Sequence, residues 1–197
     1  MKKIIICVLT LILIISLVSC SKKNNSEQST EIPTKLPTDQ APKVCTEELV
    51  YKLNDGGQSY TLVSFGKCTC ENIVIPETYN GLPVTSIGDS AFNRCYTVKS
   101  ITIPSSVTEI WHRAFANCYQ LESVNIPSGV TAIGFYVFSG CKALKSVVIP
   151  ASVAYVGSDV FSGCTDITVN CEAESQPAEW ESNWNSGISV NWGYTQE

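Results

Sequence analysis

Ten cysteines and a single histidine carry most of the chemical potential of this 197-residue sequence. Four of the cysteines, Cys95, Cys118, Cys141 and Cys164, recur every 23 residues. Thiolates gathered at short range hold zinc or exchange disulfides, so the column is the first candidate for a metal or redox centre. Its spacing argues against that chemistry. If the period is structural, each sulfur sits on a separate coil, and the four spread along about 15 Å at strand spacing. Tetrahedral zinc needs all four at about 2.3 Å from one point. Cysteine also buries well as a small side chain, so the column is expected to be core. Neighbours could bridge only where their side chains turn toward each other. Cys45, Cys68 and Cys70 lie outside the period. In an exported protein a bridge from Cys45 to Cys68 or Cys70 is expected, with one thiol left over. Cys68-Thr-Cys70 lacks the spacer of a C-x-x-C redox or zinc motif.

His112 is the only histidine, and Trp111 and Arg113 flank it. Any Ser-His or Cys-His chemistry would have to pass through that one ring. The chain has no nucleophile elbow, P-loop, H-E-x-x-H or EF-hand loop. No catalytic residue, metal or cofactor is therefore assigned, and the chain is read as a non-enzyme. Its net charge of −5 argues against nucleic acid, which attracts basic stripes. No Lys or Arg follows Lys145, so the last quarter of the chain is purely acidic.

The elements that position these residues follow from the period. Val84–Ser106, Val107–Gly129 and Val130–Ser152 align without a gap, and a fourth segment starts at Val153 and then degenerates. Phe92, Phe115, Phe138 and Phe161 form one column, and Ile87, Ile110, Ile133 and Val156 another. Val98, Leu121, Leu144 and Ile167 form a third, and Pro104, Pro127 and Pro150 close each segment. One such unit cannot bury its own apolar residues, but stacked units place like residues above one another in a continuous core. Ile101-Thr-Ile103, Val124-Asn-Ile126 and Val147-Val-Ile149 alternate inward and outward as strands do. Proline stops each strand, since it has no N–H for the ladder. The Ala-Phe-x-x-Cys segment is expected as a tight or short helical turn on the opposite side.

Ile-Gly-x-x-Ala-Phe, the cysteine column and Ile-Pro-x-x-Val-Thr together resemble the BspA-like (Treponema-type) leucine-rich repeats of bacterial surface proteins. The resemblance covers about residues 45 to 197. It implies a leucine-rich-repeat solenoid, mainly β, of about four to five coils. Residues 45–83 are read as an N-terminal cap with a half-repeat, 84–171 as the repeats, and 172–197 as an acidic, Trp-rich C-terminal cap. Leu49–Leu53 and Tyr60–Phe65, joined by Asn54-Asp-Gly-Gly57, read as a hairpin that covers the first edge. About five extra residues near Tyr79–Pro83 bulge from the first half-repeat. The last unit is one residue shorter between Ile167 and Thr168, which puts Val169 and Cys171 inward.

Upstream, Met1-Lys2-Lys3 precedes an apolar run from Ile4 to Val18, too short for a membrane span of about 20 residues. Leu17-Val18-Ser19-Cys20 resembles a bacterial lipobox. Residues 1–19 are thus expected to be a lipoprotein signal peptide and Cys20 the lipidation site, with the protein held to the bacterial membrane outside the cytoplasm. Residues 20–44, polar and rich in proline, are read as a flexible linker.

Core columns hold from repeat to repeat; surface positions are free to vary and to bind. Trp111, His112 and Arg113 replace Gly88-Asp89-Ser90, and Phe135 and Tyr136 follow one coil on. Tyr96 and Tyr119 stack in the position after the cysteines. Aromatic residues and arginine are the types that anchor interfaces, so these seven are the candidate binding patch. The alternative is that Trp111 and Phe135 fold down to cover their own coils. The function expected is cell-surface binding, adhesin-like, of a protein, host surface or glycan. The resemblance implies such roles, and the runner-up is an envelope scaffold for other bacterial components.

Overall fold

The structure, a computed structural model, describes residues 44–45, 48–67 and 69–195. The expected signal peptide, Cys20, the linker up to residue 43, Cys68 and the Cys45 side chain lie outside the described residues. Among the described residues fourteen strands follow in order: β1 (Val44–Cys45), β2 (Val50–Leu53), β3 (Tyr60–Ser64), β4 (Asn72–Val74), β5 (Thr78–Tyr79), β6 (Leu82–Ile87) and β7 (Ser100–Thr102), then β8 (Glu109–Ile110), β9 (Ser123–Val124), β10 (Ala132–Ile133), β11 (Ser146–Ile149), β12 (Tyr155–Val156), β13 (Thr168–Cys171) and β14 (Val190–Asn191).

These strands wind as a succession of three-sided coils because each repeat contains two strands and a run of turns. On the first side β1, β4, β7 and β9 pair in parallel, and β11, β13 and β14 form a second parallel ladder further along. Ile101, Ile103, Val147 and Ile149 point into the core, as the alternation predicts. The one-residue deletion is absorbed as read: Val147 pairs with Val169 and Ile149 with Cys171. Just past β9 the Asn125 side chain stands in for backbone. Its Oδ1 accepts the Ile103 N–H at 2.9 Å and its Nδ2 donates to the Ile103 carbonyl at 3.0 Å.

Proline follows β7, β9 and β11 and starts the corner. The carbonyls of Pro104, Pro127 and Pro150 accept the N–H groups of Val107, Val130 and Val153 three residues on, closing a β-turn. On the second side β12, β10, β8, β6 and β3 run parallel, and β2 closes the edge antiparallel to β3. The hairpin is therefore present, and β3 is itself part of the stack. The extra residues before β6 form a small hairpin, in which Thr78–Tyr79 pairs with Leu82–Pro83 around Asn80-Gly81. Both turn residues have positive φ (49° and 80°), the conformation that an Asn-Gly hairpin turn requires. Tyr79 then stacks on Tyr51 at 4.3 Å and meets Tyr60 edge-on at 5.0 Å, pinning this insertion to the N-terminal hairpin.

The third side is a spiral of turns, with no helix among the described residues. Alternate amides divide their work. Ala91, Asn93 and Cys95 donate to the carbonyl three residues back, while Ser90, Phe92 and Arg94 donate to the next coil. This division requires a left-handed residue at two fixed places per coil. Ser90, Arg113, Tyr136 and Asp159 fill the first, and Arg94, Asn117, Gly140 and Gly163 the second.

Inside, the phenylalanine column is a stack of rings. Phe65, Phe92, Phe115, Phe138, Phe161 and Trp184 follow one another with centroids 5.4 to 6.2 Å apart. The ladder has six rungs where four to five coils were expected, which corrects the count. Phe65 in the hairpin and Trp184 near the C-terminus are both coils of the stack, disguised by irregular flanking sequence. Full burial of each such ring contributes roughly 1.5–3 kcal/mol, so the stack supplies a large share of the driving force.

Candidate functional site

Every coil leaves its second-side strand at the same place. At three coils the first residue after the strand is glycine: Gly88, Gly134 and Gly157. A Cβ on Gly134 would lie 2.7 Å from the His112 backbone nitrogen, and one on Gly157 2.8 Å from that of Phe135. Close-packed backbone leaves no room for it. Trp111 breaks this column, and its ring is thrown outward to 43 % exposure. The indole is nevertheless held, because its Nε1 donates to Glu109 Oε2 at 2.9 Å, two residues back on β8.

His112 stacks on Phe135 with centroids 4.7 Å apart, and its Nδ1 accepts the Phe135 N–H at 3.0 Å. With Nδ1 acting as acceptor, the neutral ring carries its proton on the outward Nε2. Phe135 meets Tyr155 edge-on at 6.4 Å. Arg113 and Tyr136, both left-handed at φ 53° and 59°, project from the spiral of turns. The Arg113 guanidinium lies 5.2 Å from the Tyr136 ring centroid, a cation–π distance. The structure thus brings together Trp111, His112, Arg113, Phe135 and Tyr136 over two coils. Trp111 does not fold down, whereas Phe135 and Tyr136 are half-buried.

Tyr96 and Tyr119 do not join this group. They stack on each other at 5.4 Å, with the Lys142 ammonium 5.6 Å from the Tyr119 ring. No ring contact among the described residues links them to Trp111.

Two cavities flank the indole. One, of about 410 Å³, lies between Trp111 and the N-terminal hairpin, with Lys52, Asn54 and Asp55 on the far wall. The other, of about 380 Å³, is bounded by Asp89, His112, Gly134 and Tyr155. Trp111 and Glu109 line both, so the ring and its carboxylate form the partition. Sequence reading missed Glu109 and Tyr155, although both occupy the residue just before the Ile column, beside Ser86 and Ala132. It also missed Lys52 and Asp55, for which the repeat carries no signal.

Cys95, Cys118 and Cys141 lie in the core, and Cys164 is half-buried against it. Cys118, Cys141 and Cys164 donate their thiol protons to the carbonyls of Phe92, Phe115 and Phe138, one coil back, at 3.1 to 3.2 Å. They and Cys95 are free thiols. Burial pushes the Cys95 thiol up and that of Cys164 to about 11; the Cys118 thiol beside it and burial push Cys141 up. The thiolate is the nucleophile, so these groups are chemically quiet at neutral pH. Cys70 is disulfide-bonded, and the rest of the pairing expected among Cys45, Cys68 and Cys70 lies outside the described side chains.

A family model described as "BspA type Leucine rich repeat region" matches residues 61–182 in six copies. No curated protein matches the chain. Among solved structures, a T. pallidum leucine-rich-repeat protein shares 26 % identity at a TM-score of 0.53, over 62 % of this chain and 68 % of its own. A Bacteroides ovatus leucine-rich-repeat protein shares 32 % at 0.59, over 75 % of this chain and 37 % of its own. A leucine-rich cell surface protein from Faecalibacterium prausnitzii shares 25 % at 0.59, over 76 % and 39 %. The chain therefore spans under two fifths of the length of these last two.

Proposed function

The chain belongs to the BspA-type leucine-rich-repeat family, and from that premise we propose that it is a lipid-anchored, adhesin-like surface protein that docks on its partner through the patch from Trp111 to Tyr136. Proteins of this family are typically surface-exposed in bacteria, and leucine-rich-repeat proteins generally bind other proteins. Such solenoids are typically binding scaffolds rather than enzymes.

The observation that carries the reading is the break at Trp111. A position that close packing reserves for glycine in neighbouring coils is given to the largest side chain, exposed yet hydrogen-bonded in place. Immobilised aromatic side chains lose little entropy on binding, which is why they anchor interfaces. In this reading Cys20 supplies the lipid attachment and residues 21–43 the tether, with a reach of about 25–30 Å; Val44, expected as the linker's last residue, is instead paired in β1.

The test has two arms. Labelled fatty acid is expected to be incorporated into the wild-type protein and not into Cys20→Ala; no incorporation into the wild-type protein would refute lipid attachment. For docking, purified protein is applied to immobilised host extracellular-matrix extract and to the bacterium's own envelope fraction. Saturable binding to host material, lost in Trp111→Ala/Tyr136→Ala but kept in Tyr96→Ala/Tyr119→Ala, is the expected result. Binding only to the envelope fraction would replace the adhesin-like role with that of an envelope scaffold.

A further inference from the structure

The cavity between Trp111 and the hairpin has a chemistry that narrows what can fill it. Its volume of about 410 Å³ falls within the usual range of ligand sites, roughly 300–1,000 Å³. One wall is a single flat indole, exposed but tethered through Glu109. Apart from Val63, the other lining residues are polar: ammonium, amide, hydroxyl and carboxylate groups come from the hairpin and from Thr85, Ser86, Thr108 and Glu109 of the adjacent coils.

Not all of those groups are free. Asn54 is consumed inside the hairpin, donating to Ser59 Oγ at 2.7 Å and accepting from Thr61 Oγ1 at 2.7 Å. It holds the turn in shape. Among the described residues, the side chains of Lys52 and Asp55 have no hydrogen-bond or ion-pair partner, and Glu109 uses only Oε2. The cleft therefore offers one cation and two carboxylates with open valence around one aromatic face.

Each ligand class meets this set differently. A phosphate or other anion would face Asp55 and Glu109, two charges of its own sign, against one lysine. A wholly apolar ligand would leave those groups buried without partners, at about 1–3 kcal/mol each. An extended peptide would need a row of side-chain pockets at alternate positions, and the apolar side chains of the lining are one ring and Val63, which make no such row. A pyranose has what remains: an apolar C–H face to lie on the indole and a rim of hydroxyls that donate to carboxylates and accept from an ammonium.

We propose that this cleft is a saccharide subsite, in which the Trp111 indole stacks on one neutral sugar ring of a surface glycan while Asp55, Glu109 and Lys52 hydrogen-bond its hydroxyls. The proposal rests on the reading of Trp111 as part of a docking surface, and adds the chemistry of what docks.

An array of defined neutral oligosaccharides of glucan, xylan, mannan and galactan type is the probe, with the strongest binder titrated in solution by saturation-transfer NMR. Saturable binding is expected for at least one class. Trp111→Ala should weaken it more than tenfold, and Asp55→Asn and Glu109→Gln severalfold each. Tyr96→Ala/Tyr119→Ala should leave it unchanged. Circular dichroism of each variant confirms that the solenoid persists, and the two carboxylate variants keep the test decisive if Trp111→Ala fails to fold. No saturable binding across the array, or binding indifferent to Asp55→Asn and Glu109→Gln, overturns the subsite. A final arm separates the two readings. Trp111-dependent binding that survives enzymatic deglycosylation of the partner surface overturns the saccharide and keeps the docking patch. Binding to the untreated surface that ignores Trp111 overturns both.

Discussion

Replacing Phe115 by alanine would remove one rung from the middle of the ring ladder. Phe115 is fully buried and sits between Phe92 and Phe138, with both centroids 5.4 Å away. Core Phe→Ala substitutions cost about 3–5 kcal/mol, and each stacked aromatic pair contributes roughly 0.5–1.5 kcal/mol beyond its buried area. With two neighbours lost, Phe115→Ala belongs in the upper half of that range, about 4–5 kcal/mol. Phe65 is half-buried and has one stacked neighbour, Phe92, at 6.2 Å. Its replacement should cost about half as much, roughly 2 kcal/mol. Typical domains hold only about 5–15 kcal/mol in total, so the central variant should be severely weakened. For a chain of this size the shift in Tm is roughly 8–20 °C for Phe115→Ala and about half that for Phe65→Ala. Thermal and guanidinium unfolding followed by circular dichroism would measure both. Equal losses at the two positions, or a loss below about 1 kcal/mol at Phe115, would refute the idea that stability resides in a stack whose interior rungs are worth more than its ends.

Two glycines separate dihedral strain from steric contact. Gly163 has φ 77°, and an added Cβ would meet nothing closer than 3.6 Å. Gly163→Ala should therefore cost only the left-handed penalty, about 1–2 kcal/mol. Gly134→Ala instead drives a Cβ to 2.7 Å from His112. It should cost about 1–3 kcal/mol and also weaken partner binding by shifting the loop that carries Trp111; denaturant titration and the binding assay read the two effects. The buried thiols set a pH limit. Burial holds Cys164 at about 11 and Cys171 at about 12 in the fold, whereas free thiols ionise near 8.5. The folded chain keeps protons that the unfolded chain has lost, so stability is full below about pH 8.5 and declines as pH rises toward 11 to 12. The fully buried thiols of Cys118, Cys141 and Cys171 should react with a maleimide at pH 7 only upon unfolding, and rapid native labelling of any of them would contradict their burial.

Much of the fold is legible because a repeat turns a three-dimensional question into a one-dimensional one. Ile87, Ile110, Ile133 and Val156 share a column in sequence and fill one stripe of the core in space. The shortened last unit could be read to the residue, because moving Val169 by one position would have turned it outward. The departure from glycine at Trp111 was legible too, but whether its ring stands out or folds down over its coil was decided only by the fold. Its neighbours on the hairpin side were not legible. Lys52 and Asp55 stand more than fifty positions away from Trp111, and nothing in their local sequence sets them apart from any turn. The left-handed positions were equally hidden. Ser90, Arg113, Tyr136 and Asp159 have no chemistry in common, and only the alternation of amides between the local turn and the next coil imposes one conformation on all four.

By itself the sequence determined the coil: a 23-residue period, the inward columns, the prolines at the corner and the break in the repeat at Trp111 to Arg113. Those are local matters, set by side-chain polarity and backbone freedom within one repeat. The tertiary structure decided where the stack ends and what its open valences face. Phe65 and Trp184 are rungs because their rings lie on Phe92 and Phe161, whatever their flanks spell. The cleft exists because β3 pairs with β6 and so sets the hairpin turn opposite Trp111. Contacts between distant segments depend on packing of the whole chain, and no single repeat contains them.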